Sequence, residues 1–203
     1  MVMDSEVEDT ARTPADKHKY ENSYPTRSWF GVRDVAPELQ NLARAIVHLR
    51  PKGDVRYFGS GLLWDHKPPT YPKYNPVVPF RSQRFSGHGA LKAVQVLGAD
   101  KMGGMAGFFD DQGGQEYFMV VNFQHGAKMS KMDGLRTLQL VFDNSVTRIE
   151  RLNRLTGRVE TLRTKARAGG RVLDVRLEGG TGDLFKWSNG KPWALRRAVP
   201  DRK

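Results

Sequence analysis

Residues 107–123 read Gly-Phe-Phe-Asp-Asp-Gln-Gly-Gly-Gln-Glu-Tyr-Phe-Met-Val-Val-Asn-Phe. Two apolar runs, Met105 to Phe109 and Tyr117 to Phe123, flank Asp110-Asp111-Gln112-Gly113-Gly114. Asp and Gly at that spacing between β-favouring residues signal a strand, a tight turn and a second strand. The run Tyr117 to Val121 is apolar at every position, so the second strand is expected to be buried on both faces. The pattern continues downstream. Ile149 to Leu152 and Val159 to Leu162 flank Leu155-Thr156-Gly157-Arg158, another hairpin. Leu138, Leu140 and Phe142 alternate with polar residues, as do Leu173, Val175 and Leu177. A last strand, Leu184 to Trp187, follows the turn Gly179 to Asp183. Short strands at such regular spacing predict an antiparallel β-sandwich over residues 85–195, and a mainly β fold class.

The other segments are of different kinds. Residues 1–28 are expected to be a disordered or loosely attached tail; the first sixteen carry five acids against one arginine, too little apolar surface to offset ordering. Residues 29–54 contain one N-terminal amphipathic helix, about Pro37 to Leu49, with Asp34 as N-cap. Leu39, Leu42, Ile46 and Leu49 mark its apolar stripe, and Pro51 and Gly53 end it. Residues 55–84 hold Pro68, Pro69, Pro72, Pro76 and Pro79 among Trp64, Tyr71 and Tyr74, an extended loop rather than a helix or central strand. Residues 196–203 form a basic tail.

The chain has 203 residues, a net charge of +11 and no cysteine. Without cysteine there are no disulfides, thiolate metal sites or cysteine nucleophiles. No signal-peptide pattern opens the sequence, and its longest apolar run is far short of the roughly 20 residues that span a bilayer, so a cytoplasmic location with no membrane partner is the default expectation.

Three stretches carry a resemblance. The hairpin 107–123, the segment 146–162 (VTRIERLNRLTGRVETL) and the ending 173–187 (LDVRLEGGTGDLFKW) resemble the C-terminal β-sandwich of bacterial TIM-barrel glycoside hydrolases, β-galactosidase-like enzymes especially. Asn153 stands where that family has an acid, and Gly180 where it has proline. The helix 36–49 (APELQNLARAIVHL) is similar to the last barrel-side helix of those enzymes. The resemblance implies a non-catalytic accessory module, detached or truncated, acting through contacts with a hydrolase barrel or a glycan. Those enzymes hold two catalytic carboxylates on barrel strands. A barrel needs roughly 200 residues by itself, so none fits here and no catalytic pair transfers.

Chemical motifs within the chain are sparse. Asp110-Asp111 suits a turn, where Asp bonds local N–H groups, better than a metal or acid–base pair. The histidines (His18, His48, His66, His88, His125) form no zinc signature, and the glycine-rich stretches lack the strand-to-helix setting of a phosphate cradle. No catalytic residue, metal ligand or cofactor is assigned. Trp64, Tyr71, Tyr74 and Trp193 are the candidates for stacking on sugar rings; Trp187, closing a strand, reads as core. Charge suggests a second function. Residues 145–203 carry fifteen Lys and Arg against six acids, and Arg148, Arg151, Arg154, Arg158, Arg163 and Arg167 are the candidates for contacting a nucleic acid or other polyanion. No aromatic lies between Arg148 and Arg171 for base stacking, which favours a solvated sandwich face over a nucleic-acid surface.

Overall fold

The computed structural model describes residues 27–59, 87–98, 103–124 and 129–195, with side chains from Val35 onward. Its first hairpin is the one the sequence announces. β3 (Gly104–Asp110) and β4 (Glu116–Asn122) pair antiparallel with Phe108 opposite Phe118. Asp111 ties the turn by accepting hydrogen bonds from the Gly113 and Gln115 amides at 2.8 and 2.9 Å.

Around that hairpin the described chain is mainly β, in two antiparallel sheets with one helix. The six-stranded sheet runs β1 (Arg50–Phe58), β3, β4, β10 (Gly182–Trp187), β6 (Arg148–Leu152), β7 (Val159–Arg163). The four-stranded sheet runs β2 (Leu91–Leu97), β5 (Arg136–Phe142), β9 (Gly170–Leu177), β8 (Lys165–Arg167). Their inner faces share one core, with Phe108, Phe118, Val120 and Phe185 from the first sheet and Val94, Leu138, Leu140, Phe142 and Val175 from the second. Phe118 is its centre, stacked on Phe185 and tilted against Trp187, each at 5.1 Å between ring centroids.

The outer face of the six-stranded sheet is covered as well. Tyr117, Leu152 and Leu184 point away from the core and meet Leu42 and Ala45 of α1 (Arg27–Ile46). β4 therefore reads as apolar throughout because Phe118 and Val120 face the sandwich while Tyr117 and Met119 face the second cluster.

The helix, β1 and two strands that the pattern did not single out, β2 and β8, differ from the sequence reading. The helix starts at Arg27, with Asp34 inside it; Pro37 lacks an amide and forgoes one helical bond without ending the run. The sandwich also starts earlier than residue 85. Residues 50–58, expected in the helical segment and the Pro-rich loop, form β1, which pairs with β3 through an irregularity between Pro51 and Val55. That irregularity interrupts the alternation by which a strand is recognised. The acidic tail, most of the Pro-rich loop and the basic tail lie outside the described residues.

Candidate functional site

The β6–β7 hairpin is where the charge of the sequence becomes specific chemistry. Asn153 accepts hydrogen bonds from the Leu155 and Thr156 amides at 2.9 and 3.2 Å, which shapes the turn. Gly157 has φ +65°, a conformation that favours glycine, and a Cβ there would lie 2.5 Å from Asn41 Oδ1, so the Asn41 side chain of the helix would have to shift. Asn41 Nδ2 donates to Arg154 O at 2.8 Å, and Arg44 Nη1 donates to Gly157 O at 3.2 Å. The turn is thus a seat for the helix.

Arg154 occupies the centre of that seat. Its guanidinium is buried and bonds three carboxylates: Glu38 at 2.8 Å, Asp183 at 2.8 Å and Glu178 at 3.2 Å. Burial works against the charge, and the Asp183 and Glu38 carboxylates more than offset it, holding Arg154 above its ordinary value. Lys131 closes the cluster from outside, 3.0 Å from Glu38 and 3.4 Å from Glu178, and the Glu38 hydrogen bond holds its ammonium above the usual range. Arg151 bonds Glu160 at 2.6 Å and the second oxygen of Asp183 at 3.1 Å. The hydrogen bond from Arg151, then that from Asn153, lowers the Glu160 carboxyl.

This network decides how α1 sits. At 100° per residue, the apolar arc predicted from Leu39, Leu42, Ile46 and Leu49 has one centre. The bonds of Glu38, Asn41 and Arg44 roll the helix toward its polar flank instead. Leu42 is 4% exposed and Ala45 fully buried, whereas Leu39 is 61% and Ile46 38% exposed. Val35 continues the uncovered sector, and Val47 extends it past the helix end.

The six arginine candidates accordingly separate. Arg151 and Arg154 are committed to internal carboxylates and are not part of a polyanion surface. Arg158 is exposed in the turn, at the far end of β6 from Arg148. Arg148, Arg163 and Arg167 are exposed on the opposite flank. Glu38, Glu178 and Asp183 were not read from the sequence as site residues; they lie 116, 24 and 29 residues from Arg154, and only the fold brings them together.

A second cluster surrounds Trp193. Its indole N–H donates to Glu150 at 2.7 Å, and its ring meets Tyr117 edge-on at 5.3 Å. Lys186 is completely buried beside it, 3.1 Å from Glu150 and 2.5 Å from Lys191 O. Tyr117 Oη donates to Asp111 Oδ2 at 3.3 Å and accepts from the Ala194 amide at 3.2 Å. Burial, the first cause, holds the Tyr117 phenol above its ordinary value. An open groove of about 340 Å³ results, lined by His48, Asp111, Gln112, Trp193 and Leu195 among others. Trp64, Tyr71 and Tyr74, the other stacking candidates, lie outside the described residues. His88 is held elsewhere, stacked 3.9 Å over Phe108 with Nδ1 2.8 Å from Asp54.

Among the described residues no group of three or more His, Asp or Glu is arranged to hold a metal, and no helix is long and apolar enough to cross a membrane. Comparison with family models, with curated proteins and with solved structures returns no match.

Proposed function

We propose that this chain is a non-catalytic accessory module that docks on the barrel of a glycoside hydrolase through the outer sector of α1. The carrying observation is the half-covered apolar arc of the helix: Val35, Leu39, Ile46 and Val47 stay exposed while Leu42 and Ala45 cover the sheet. Exposed aliphatics grouped on one face mark an interaction surface. The resemblance of residues 36–49 to a barrel-side helix supplies the occupant. The carboxylates around Arg154 support the non-catalytic reading, since each is paired with a cation, whereas a glycosidase needs a carboxyl group that protonates the leaving group.

The test mixes the chain with the barrel of a β-galactosidase-like hydrolase stripped of its own C-terminal sandwich, and measures complex mass by light scattering. A one-to-one complex is expected, lost in the Leu39→Lys/Ile46→Lys variant. No complex with the unaltered chain, or one that survives the substitutions, refutes the reading. A homodimer abolished by the same substitutions would assign the sector to a second copy instead.

The Trp193 groove favours a further contact, with a glycan. A ring fixed by Tyr117 and Glu150 is pre-ordered for stacking, and Asp111, Gln112 and His48 supply polar groups at its rim. On a glycan array, signal lost in a folded Trp193→Ala variant supports this contact, and no signal from the unaltered chain removes it.

A further inference from the structure

The edge of the sandwich opposite β1 and β2 carries a row of cations that pair with no carboxylate among the described residues. β7 is the edge strand of one sheet and β8 the edge strand of the other, and a single residue, Thr164, joins them. Thr164 is buried and donates its hydroxyl to Val146 O at 2.5 Å. Its neighbours Arg163 and Lys165 are both exposed. Arg167 follows two residues on, so three cations recur at two-residue spacing over about 13 Å of extended chain. Arg148 stands directly opposite Arg163 in the β6–β7 register. Arg171 stands opposite Ala166 and bonds Thr164 Oγ1 and O at 2.7 and 2.8 Å.

Four cations, Arg148, Arg163, Lys165 and Arg167, therefore line one edge, and among the described residues none pairs with a carboxylate; Arg171, opposite Ala166 and Phe142, lies on the other side of the strand. Arg171 bonds only Thr164, and Arg167 bonds Gln139, through which Asp174 joins the row indirectly. Like charges directly opposite in a sheet are destabilising. Charged side chains on an edge strand keep it from adding a neighbour, a duty that does not account for Arg148, which lies on β6, one strand in from the edge.

We infer that this edge binds a linear sulfated polysaccharide. Three of the four cations are arginine, whose planar fork suits the oxygens of sulfate or phosphate. Aromatic residues are absent from the whole stretch between Arg148 and Arg171, which disfavours single-stranded nucleic acid, whose bases need stacking partners. Arg163, Lys165 and Arg167 follow one extended segment with Arg148 beside it on β6, a narrow strip that fits a thin polymer rather than a broad duplex. This inference is independent of α1 and of the Trp193 groove.

The experiment titrates the full chain with a heparin octasaccharide and with a 12-base-pair DNA duplex from 25 to 200 mM salt. Heparin is expected to bind with an affinity that falls steeply with salt, by analogy with the loss of about 0.7–0.9 in logarithmic slope per neutralised phosphate. Arg163→Gln should lower that slope by about one, and Arg163→Gln/Lys165→Gln by about two. Arg158→Gln, which removes the same charge away from the row, should leave it unchanged. The inference is overturned by no heparin binding at 25 mM salt. It is equally overturned if Arg158→Gln weakens binding as much as Arg163→Gln, which would mean net charge alone, or if the duplex binds more tightly than heparin at equal salt. Circular dichroism on each variant separates lost binding from lost fold.

Discussion

Replacing Arg154 by methionine removes the charge but keeps most of the side chain's apolar length, which isolates the electrostatic part of helix docking. In the native chain the guanidinium faces Glu38, Glu178 and Asp183, and Asp183 is only 1% exposed. Breaking a buried ion pair by removing one partner costs about 3–5 kcal/mol, because the other charge is left uncompensated. Here Lys131 still faces Glu38 and Glu178, and Arg151 still reaches Asp183, which places the loss at about 3 kcal/mol, the lower end of that range. A domain of ordinary stability has about 5–15 kcal/mol in total. With a urea slope of about 1–3 kcal/mol per molar, the unfolding midpoint should fall by about 1–3 M. Urea titration followed by tryptophan fluorescence and by ellipticity at 222 nm measures it. Adding Glu38→Gln to the variant should recover part of the loss, since one orphaned carboxylate is then gone; the double-mutant cycle reads the coupling directly. A midpoint within 0.2 M of the native value, taken as roughly the precision of such titrations, would mean that the network is solvated and does not hold the helix.

Three further outcomes follow from the same geometry. Leu42→Ala should destabilise the chain by about 2–5 kcal/mol, whereas Leu39→Ala, one turn away but exposed, should stay within about 0.5 kcal/mol; equal effects in urea titration would refute the rolled helix. Asn122→Ala removes a buried amide that donates to Gly134 O, Leu177 O and Glu178 O at 2.9, 3.0 and 3.1 Å. It should cost about 2–4 kcal/mol, from orphaned carbonyls at about 1–3 kcal/mol each with some reached by water, and a thermal midpoint unchanged from the native chain would contradict this. The Glu160 carboxyl is held below its ordinary 4.5 by Arg151 and Asn153. Its contribution is therefore present above pH 4.5 and is lost as the pH falls through the lower folded value. Glu160→Gln should flatten the acid limb of the stability-against-pH curve below about pH 4.5, and an unaltered limb would show that the pair contributes nothing.

Local pattern carried the strands well. The hairpins at 104–122 and 148–163, and the strands at 136–142, 170–177 and 182–187, follow from turn residues and alternating apolar positions that act over a few residues. β1 was hidden because its irregularity breaks the alternation, and β8 because three exposed residues carry no apolar signal at all. The helix was legible as a helix, while its orientation was not. Leu39 and Ile46 look like core by periodicity, and only the bonds of Glu38, Asn41 and Arg44 to the distant turn 154–157 roll them outward. Gly157 illustrates the division within one residue: as a turn glycine it was readable, as the close approach that seats α1 it was not.

The charge divides in the same way. Composition established a surplus of cations and their concentration toward the C-terminal end of the chain, because both are sums over residue types. Which arginines are spent and which are free depended on partners 9 to 116 residues away. Arg154 and Arg151 look like Arg148 and Arg163 in a one-dimensional string with alternating apolar neighbours. The first two meet carboxylates contributed by α1, by β7, by β10 and by the β9–β10 turn, whereas among the described residues the second two pair with none. Strand propensity acts locally and is written in the sequence; neutralisation of a buried charge is a contact across the fold, and tertiary structure alone decides it.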